Sequence, residues 1–593
     1  MKLLVCCLFV IANISDNGKA SLESYKPTIG NMLFEDITRN SDKSCNRPCK
    51  FNVKPRRCHY DFTIRPSILQ NGRAVIAING ISPGPPINVC MNDVIVVEVR
   101  NKIPDQDIAV HWHGMEQKGT PHMDGVPMVT QCPIPYGSTY KYAFIASSPG
   151  TFFYHADSVS HQSDGVYGSL IVNQPQPLDP HSTLYDYDRS DEQTLLFGVK
   201  FSELLTGNLE DISQLQPTSL IINDDEILKM FVMQGFAYRL RLISAIAIEC
   251  PVRFGIEFHD LVVIATDGKP VKPVAVRNVV LHPGERMDVV VRASQQTGGY
   301  WATASAGGAC AGITANAMLV YSGFNYTSML HQGQNVVEDF YEDTGSEING
   351  QMLESLNDVA QSPRLKKVYL GIDRKSNNYM EYDVDFRYIS DAIPKKPFYP
   401  AFLGLRKSGV VQINGKSFLY PNSPMLLYPR DVKNDFMCTV GEEDANQEPQ
   451  CVLLLEPNDE SLEIALVNEG YGSSESYTFH MHGYNMQVVS TWQSPDGKPI
   501  SKKEFQRLDK KGVIIRNTQN PPVKDTIVVP NKGYTIVRIR PERGGSWLLE
   551  CRSCGVSSLP TAIIINVPQK IPISIVKSLS KCGSYRPPDV LLN

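Results

Sequence analysis

Short apolar runs separated by turn residues recur along most of the chain. Examples are residues 94–99 (VIVVEV), 261–265 (LVVIA) and 535–539 (TIVRI). Runs of this length, rich in β-branched residues and bounded by Pro and Gly, are typical of strands rather than helices. The 41 Pro and 42 Gly residues supply the turns that such an architecture needs. The pattern predicts an all-β protein made of sandwiches or barrels.

The predicted strands fall into three blocks, at residues 46–175, 190–325 and 365–570. A length of 593 residues suits several domains, because domains usually contain about 100–200 residues. Residues 331–364 are acidic and polar, which predicts a linker or a long loop. Residues 571–593 are then a C-terminal tail. The chain is therefore predicted to contain three β-rich domains.

A glycine-containing turn precedes a predicted strand in each block. These turns lie at residues 136–139 (YGST), 283–286 (PGER) and 531–534 (NKGY). The recurrence indicates that the three blocks repeat one structural unit.

Charge and the N-terminus narrow the class of protein. The 57 Lys and Arg against 62 Asp and Glu leave a net charge of −5, without the basic excess of a nucleic-acid binder. Lys2 followed by an apolar run to Ile14 predicts a secretory signal at residues 1–20, with a buried N-terminal strand as the alternative. That run is too short to span a bilayer, and no later segment is long and apolar enough. We expect a secreted, extracellular protein.

Cysteine usage agrees with this compartment. Two of the 14 cysteines, Cys6 and Cys7, would leave with the signal, and an even number of 12 remains. An even count in a secreted chain predicts disulfides, although the spacing does not assign pairs. Asn325 begins an Asn-Tyr-Thr sequence and is a predicted glycosylation site on a surface loop.

Two histidine pairs carry the candidate chemistry. His111 and His113 flank Trp112, and His480 and His482 flank Met481. Residues at i and i+2 of a strand point to the same face, so each pair can direct two imidazoles at one site. Imidazole binds copper, zinc, iron and nickel. Two such pairs, both followed by Gly, predict a metal site shared by the first and last blocks.

Longer motifs surround these pairs. They are residues 111–114 (HWHG), 123–134 (MDGVPMVTQCPI), 150–172 (GTFFYHADSVSHQSDGVYGSLIV), 264–274 (IATDGKPVKPV), 283–291 (PGERMDVVV), 479–489 (FHMHGYNMQVV) and 521–534 (PPVKDTIVVPNKGY). The chain resembles the multicopper oxidases over nearly its whole mature length, most closely the insect laccase-like branch and its noncanonical multicopper oxidase-related proteins. The resemblance implies three cupredoxin-like Greek-key β-sandwich domains. It also implies a disulfide between Cys132 and Cys582 that ties the tail back to the first domain.

The resemblance further implies a type 1 copper in the third domain and a three-copper cluster between the first and third domains. Ten histidines and one cysteine bind these coppers in the family. The ligand positions retained in this chain are His111, His113, His155, His480, His482 and Cys551. The five histidine positions that carry other residues are Asp157, Tyr477, Glu550, Arg552 and Val556, and Thr561 stands at the position of the usual axial Met or Leu.

The losses are concentrated in the electron path. The type 1 site keeps only Cys551, whereas blue-copper geometry needs two His and one Cys. Both residues that flank Cys551 are also replaced, so the path to the cluster is interrupted and laccase turnover is expected to be absent. Arg552 with Asp157 and Glu550 suggests a buried ionic network in place of the metal–metal unit. Cys551 and Cys554 form a C-x-x-C motif that is either a structural disulfide, a redox pair or a buried thiol.

Three functions follow from this interpretation. The first is a secreted protein without oxidase activity that binds an unknown extracellular partner. The second is a copper-binding oxidoreductase with a reduced metal site, in which copper is partly occupied at most; Asp157 and Glu550 could also bind harder metals. The third is an active laccase-like diphenol oxidase with unusual ligands. Of the remaining histidines, His122 is expected on a solvated loop and His161 is expected to be exposed or hydrogen-bonded.

Overall fold

The computed structural model describes residues 45–206, 216–330, 346–357, 364–375, 410–432, 437–440, 450–457, 460–472, 475–554, 561–569, 571–578 and 582. The predicted signal at residues 1–20 and the position of Val556 lie outside these residues. Among the helices described, none is long and apolar enough to cross a bilayer.

The first domain is a sandwich of two sheets around an aliphatic and aromatic core. Its strands are β1 (Arg57–Ile68), β2 (Ala74–Ile78), β3 (Ile87–Cys90), β4 (Val94–Asn101), β5 (Val110–His113), β6 (Thr139–Ile145), β7 (Gly150–Ala156) and β8 (Tyr167–Asn173). One sheet has the order β2-β1-β4-β6 and the other β3-β8-β7-β5. Helix α1 (Val159–Ser163) follows β7, and a 3-10 turn covers Pro121–Met123.

The second domain repeats the sandwich. Its strands are β9 (Thr194–Phe201), β10 (Pro217–Ile222), β11 (Leu228–Val232), β12 (Ala237–Ser244), β13 (Val252–Ile256), β14 (Leu261–Thr266), β15 (Lys269–Val276), β16 (Asn278–Leu281), β17 (Arg286–Arg292), β18 (Gly299–Ala306), β19 (Thr314–Tyr321) and β20 (Glu347–Asn349). The sheets have the orders β10-β9-β12-β17-β14-β15 and β11-β19-β18-β13-β16-β20. Short helical segments are Gln176–Leu178, Gly308–Cys310, Gly350–Met352 and α2 (Thr327–Leu330).

The third domain is the last sandwich. Its strands are β21 (Leu365–Lys375), β22 (Val410–Ile413), β23 (Ser417–Phe418), β24 (Met437–Thr439), β25 (Gln450–Leu455), β26 (Ser461–Asn468), β27 (Tyr477–Met481), β28 (Met486–Gln493), β29 (Val523–Lys524), β30 (Thr526–Val529), β31 (Gly533–Ile539), β32 (Gly545–Cys551) and β33 (Ala562–Val567). The sheets have the orders β22-β21-β26-β31-β28-β29 and β23-β25-β33-β32-β27-β30, and β24 pairs with β25. The helices are α3 (Lys502–Lys510) and α4 (Ile573–Ser578).

The three sandwiches share one topological core. In each, a first strand pairs in parallel with a second, which pairs antiparallel with a third: β1-β4-β6, β9-β12-β17 and β21-β26-β31. The three predicted turns directly precede or enter β6, β17 and β31, the third strand of each set. The repeat inferred from sequence is therefore a repeat of structure.

One predicted segment differs in part. Within residues 331–364, expected to be a linker or long loop, the described part contains β20, which pairs in parallel with β16 of the second domain. The buried Ile348 anchors this strand, and one apolar side chain in a polar stretch is too weak a signal to predict it. The domain boundaries themselves stay a prediction.

The 12 cysteines expected in the mature chain are all paired, which confirms the prediction of disulfides. The pairs are Cys45–Cys58, Cys49–Cys90, Cys132–Cys582, Cys250–Cys310, Cys438–Cys451 and Cys551–Cys554. The pair implied by resemblance, Cys132 with Cys582, links the first domain to the C-terminal tail. The first and third domains also share apolar packing, because Val126 and Val129 lie in the core of the third domain.

Candidate metal centre

His111 and His113 lie on β5, with both rings fully buried in the interface between the first and third domains. Gly114 ends the strand with a φ of +88°, a conformation that favours glycine. A Cβ there would also lie 2.6 Å from the guanidinium of Arg286. The glycine after the first pair therefore allows the close contact of the domains.

His480 and His482 lie on and just after β27, again with both rings buried. Gly483 follows with a φ of +68°, and a Cβ there would lie 2.2 Å from the ring of Trp547. His155 lies on β7 directly opposite His111 in the strand register. The structure brings all five predicted histidines together, and we call them the histidine nest.

His111 and His480 face each other through their Nε2 atoms, which are 3.2 Å apart. His111 Nδ1 lies 2.8 Å from the main-chain oxygen of Asp124, and His480 Nδ1 lies 3.2 Å from that of Asp525. A carbonyl oxygen only accepts hydrogen bonds, so both Nδ1 atoms carry hydrogen and both Nε2 atoms are acceptors. Two facing lone pairs suit a shared cation.

His113 and His155 form a second facing pair, with His113 Nδ1 3.2 Å from His155 Nε2. His155 Nδ1 donates to the main-chain oxygen of Ala156 at 2.7 Å. Thr526 Oγ1 donates to Asp525 Oδ1 at 2.8 Å, so it accepts from His113 Nε2 at 2.9 Å. His113 Nδ1 and His155 Nε2 are again both acceptors.

Burial keeps four of these imidazoles neutral. It lowers the pKa of His111 and His113 well below the ordinary value, with neighbouring histidines adding to the effect. Burial and the nearby Arg552 charge do the same for the pKa of His155. Burial lowers the pKa of His480 to about 4. Neutral imidazoles at neutral pH keep the lone pairs that a metal needs.

His482 differs because both of its nitrogens face carboxylates. Nδ1 lies 2.8 Å from Asp124 Oδ2, and Nε2 lies 3.3 Å from Glu550 Oε1. Burial opposes its protonation, but the two carboxylates outweigh burial and raise the pKa of His482 to about 10. The protonated ring offers no lone pair, so His482 acts here as a buried cation.

Arg552 lies between the domains, with its guanidinium buried beside the nest. Nη1 donates to Glu550 Oε1 at 2.9 Å, and Nη2 donates to Gln162 Oε1 and lies 3.4 Å from His155 Nδ1. Burial opposes the ionised form of Glu550, but Arg552 and His482 hold its pKa well below the ordinary range. The result is a chain of alternating charges from Asp124 through His482 and Glu550 to Arg552.

This network differs from the predicted one at two positions. Arg552 contacts Asp157 at its main-chain oxygen, 3.4 Å from Nη1, instead of at its carboxylate. Gln162 on α1 supplies the other acceptor, and no histidine or carboxylate signal marked it in the sequence.

Two histidines lie outside the nest. His122 was expected to be solvated, but it is buried in the 3-10 turn. His161 is buried and hydrogen-bonded to Gln106.

Three of the positions predicted to correspond to a type 1 site lie among the described residues. Cys551 is bonded to Cys554 in a disulfide. Tyr477 is fully buried on β27, and the Thr561 hydroxyl donates to the main-chain oxygen of Val411 at 3.0 Å. A disulfide sulfur is not a thiolate, so these residues do not fit a type 1 copper.

A second buried ion network supports the nest from the second domain. Arg286 forms a bidentate pair with Asp525, one of whose bonds is 2.6 Å long. Lys524 lies 2.9 Å from Asp267 and 3.0 Å from Glu285. Asp525 in turn accepts a hydrogen bond from Thr526 and lies near His113 and His480. This network therefore positions the side of the nest that His113 and His480 form.

Comparisons with known proteins identify the class. Three models of the multicopper oxidase family match residues 63–177, 187–324 and 419–553. Laccase-2 of Botryotinia fuckeliana is 25% identical over 493 residues, 81% of this chain and 76% of that protein. L-ascorbate oxidase of Cucurbita maxima is 26% identical over 514 residues, 81% of this chain and 84% of that protein. The chain belongs to the multicopper oxidase family.

Solved structures agree on the fold. The multicopper oxidase Fet3p, which functions in iron import, has a TM-score of 0.67 at 20% identity, covering 86% of this chain and 90% of its own. The laccase of Botrytis aclada has a TM-score of 0.66 at 21% identity, covering 89% and 92%. These likenesses confirm the predicted all-β fold of three cupredoxin-like domains.

Copper, which the family implies, fits this site only in part. A three-copper cluster does not fit, because the Arg552 guanidinium lies 3.4 Å from His155, carries a permanent positive charge and offers no lone pair to a metal. One ion would be held by His111 and His480, because their Nε2 atoms face each other 3.2 Å apart and both are acceptors. His113 lies within reach of the same ion. A single bound ion would supply a Lewis-acid centre.

Glu249 of the second domain makes stability depend on pH. It is buried against Ser553, and burial raises its pKa to about 8, whereas an unfolded glutamate titrates near about 4.3. The folded state therefore holds a proton that the unfolded state releases, so stability is full below the unfolded pKa and falls as pH rises toward 8. We expect a loss of about 1 kcal/mol per pH unit in this window, and a flatter profile for Glu249→Gln, by urea unfolding. Equal slopes for the two proteins would contradict the assignment.

Proposed function

We propose that the protein is a secreted multicopper oxidase-related protein that has no laccase turnover and works by binding an extracellular partner. Its copper centre is degenerate, with the type 1 site lost and the trinuclear cluster half retained. We also propose that it belongs to the insect laccase-like branch, near the noncanonical multicopper oxidase-related proteins. The long motifs around the histidine pairs support that placement, and Asn325 as a glycosylation site would agree with secretion.

The observation that carries the proposal is the bond between Cys551 Sγ and Cys554 Sγ. In the family the cysteine at this position binds the copper that receives electrons from substrate. Here its sulfur is occupied, Tyr477 replaces a histidine ligand, and Glu550 and Arg552 replace the histidines that flank it. Together these changes remove the ligands through which electrons would enter, and they support the absence of turnover.

Elemental analysis of the secreted protein, purified without chelators, tests this proposal. We expect no more than about one metal ion per chain, no blue absorption band and no oxidation of a diphenol, because imidazole and thiolate ligands are missing. The matched control is a laccase purified in the same way. About four coppers per chain with diphenol oxidation would refute the proposal and support an active laccase-like diphenol oxidase instead.

A second candidate function is a metal-binding protein or copper-binding oxidoreductase with one metal site. The facing Nε2 atoms of His111 and His480 favour it, since neutral imidazoles at this distance suit one copper or zinc ion. Under this second candidate the type 1 site is still lost, and the only difference from the first proposal is that the histidine nest binds a metal ion.

Replacing His480 by alanine tests the second candidate. The substitution removes one of the two facing nitrogens, so we expect the dissociation constant for Cu²⁺ to rise by about 100-fold or more, measured by competition with a chromophoric chelator. The control is His59→Ala, at an exposed position on β1. An unchanged constant for His480→Ala would exclude the nest as the metal site.

A further inference from the structure

Residues Cys551–Cys554 form a small closed ring that is tied to the strand of the second histidine pair. The disulfide closes the ring at the end of β32. The main-chain nitrogen of Arg552 donates to Thr478 O at 2.7 Å, and Thr478 N donates to Ser553 Oγ at 2.8 Å. The ring is therefore anchored two residues before His480.

The ring also contacts the other two domains. Arg552 reaches into the first domain, where it binds Gln162 and the main-chain oxygen of Asp157. The Ser553 side chain is hydrogen-bonded to Glu249 of the second domain. Through these two residues, a ring of the third domain touches both neighbours at the edge of the histidine nest.

We propose that the Cys551–Cys554 disulfide is a thiol-exchange site whose opening releases Arg552 and raises the affinity of the histidine nest for a divalent cation. The inference rests on the one-metal candidate above. Cys551 is half-buried and Cys554 is buried, so Cys551 is the more accessible residue of the pair for an attacking thiolate. The reagent that reacts at this exchange site is a thiol reductant.

The exchange is a two-electron reduction. A reductant thiolate attacks Cys551 Sγ, the sulfur–sulfur bond breaks, and Cys554 leaves as a thiolate that takes up a proton. A second reductant thiolate then attacks the reductant sulfur of the mixed disulfide and releases Cys551, which is also protonated. The protein gains two electrons and two protons, and the two reductant thiols become one disulfide.

Charge explains why opening would change metal affinity. In the closed ring the backbone of Arg552 is fixed, and Nη2 lies 3.4 Å from His155 Nδ1. A permanent guanidinium charge so close to the nest repels a second cation strongly in a buried environment. Opening removes the covalent restraint on the residues around Arg552, so the guanidinium can move away from His155 when a metal enters.

Zinc binding to the full chain tests the inference without reductant in solution. Cys551→Ser/Cys554→Ser represents the open ring, and we expect it to bind Zn²⁺ about tenfold more tightly than the wild type, by chelator competition. The matched control is Cys438→Ser/Cys451→Ser, which opens the disulfide between β24 and β25. This control should change the dissociation constant by less than about twofold, because opening the Cys438–Cys451 disulfide moves no charged side chain at the nest.

Arg552→Gln identifies the cause. With the ring closed, this variant should bind Zn²⁺ as tightly as the open ring, and adding Cys551→Ser/Cys554→Ser should then change affinity by less than about twofold. An equal effect of opening in the Arg552→Gln background, or no effect in the wild type, overturns the inference while leaving the one-metal site intact. Absence of Zn²⁺ binding in every variant overturns both.

If the double serine variant does not fold, the native protein is treated with a dithiol, alkylated with iodoacetamide and freed of reagent. Mass spectrometry counts the alkyl groups on Cys551 and Cys554. Tighter Zn²⁺ binding by the doubly alkylated chain supports the inference. Failure of these cysteines to react while the protein stays folded overturns it.

Discussion

Arg286→Leu is expected to lower the free energy of unfolding by about 3–5 kcal/mol, the cost of leaving a buried charge without its partner. Arg286 and Asp525 are both buried and form a bidentate pair between the second and third domains. Leucine fills much of the space but leaves the Asp525 carboxylate without its compensating cation. Urea unfolding followed by tryptophan fluorescence measures the change.

Two variants make this result interpretable. Arg540→Leu removes an arginine whose pair with Glu542 is exposed, and it should cost less than about 1 kcal/mol. Arg286→Leu/Asp525→Asn removes the orphaned charge and should recover about 1–3 kcal/mol relative to Arg286→Leu. No recovery in the double variant would show that packing at Arg286, and not its charge, determines the loss.

The fold was predictable because the apolar runs and the turn residues of the sequence both indicate the same strands. Runs such as 94–99 and 535–539 form β4 and β31. The turns before β6, β17 and β31 mark the third strand of the three-strand set that the domains share. The pairing of cysteines was not predictable from spacing, since Cys49 and Cys90 are 41 residues apart, Cys250 and Cys310 are 60 residues apart, and only the tertiary fold brings each pair together.

The convergence of the five histidines was predictable from the sequence, whereas the residues that contact them were less so. The period of two places His111 and His113 on one face, as expected. Gln162 was missed because a single glutamine seven residues after His155 carries no pattern, and its role exists only because α1 turns it toward Arg552. The protonated state of His482 likewise depends on Asp124, 358 residues away in sequence.

The same dependence on distant partners makes Arg552 the decisive position for the proposal of a degenerate copper centre. A copper ion would link the first and third domains only when bound, whereas Arg552 supplies a permanent charge that meets Glu550 and Gln162 without any metal. If the nest holds no metal, wild-type stability should therefore be unchanged by a chelator, whereas under the one-metal candidate a chelator should lower the temperature of thermal unfolding.

Arg552→Leu is expected to lower the free energy of unfolding by about 3 kcal/mol, because it removes the charge-assisted bond to Glu550 and leaves Gln162 Oε1 without this donor. His482 still compensates Glu550, so the loss should be smaller than for Arg286→Leu. Arg507→Leu, at an exposed pair with Glu504 on α3, is the matched control and should cost less than about 1 kcal/mol. If Arg552→Leu unfolds at the same urea concentration as the wild type, the cation does not stabilise the domain interface. The nest would then be held by the Arg286 network together with the apolar packing of Val126 and Val129 against the third domain.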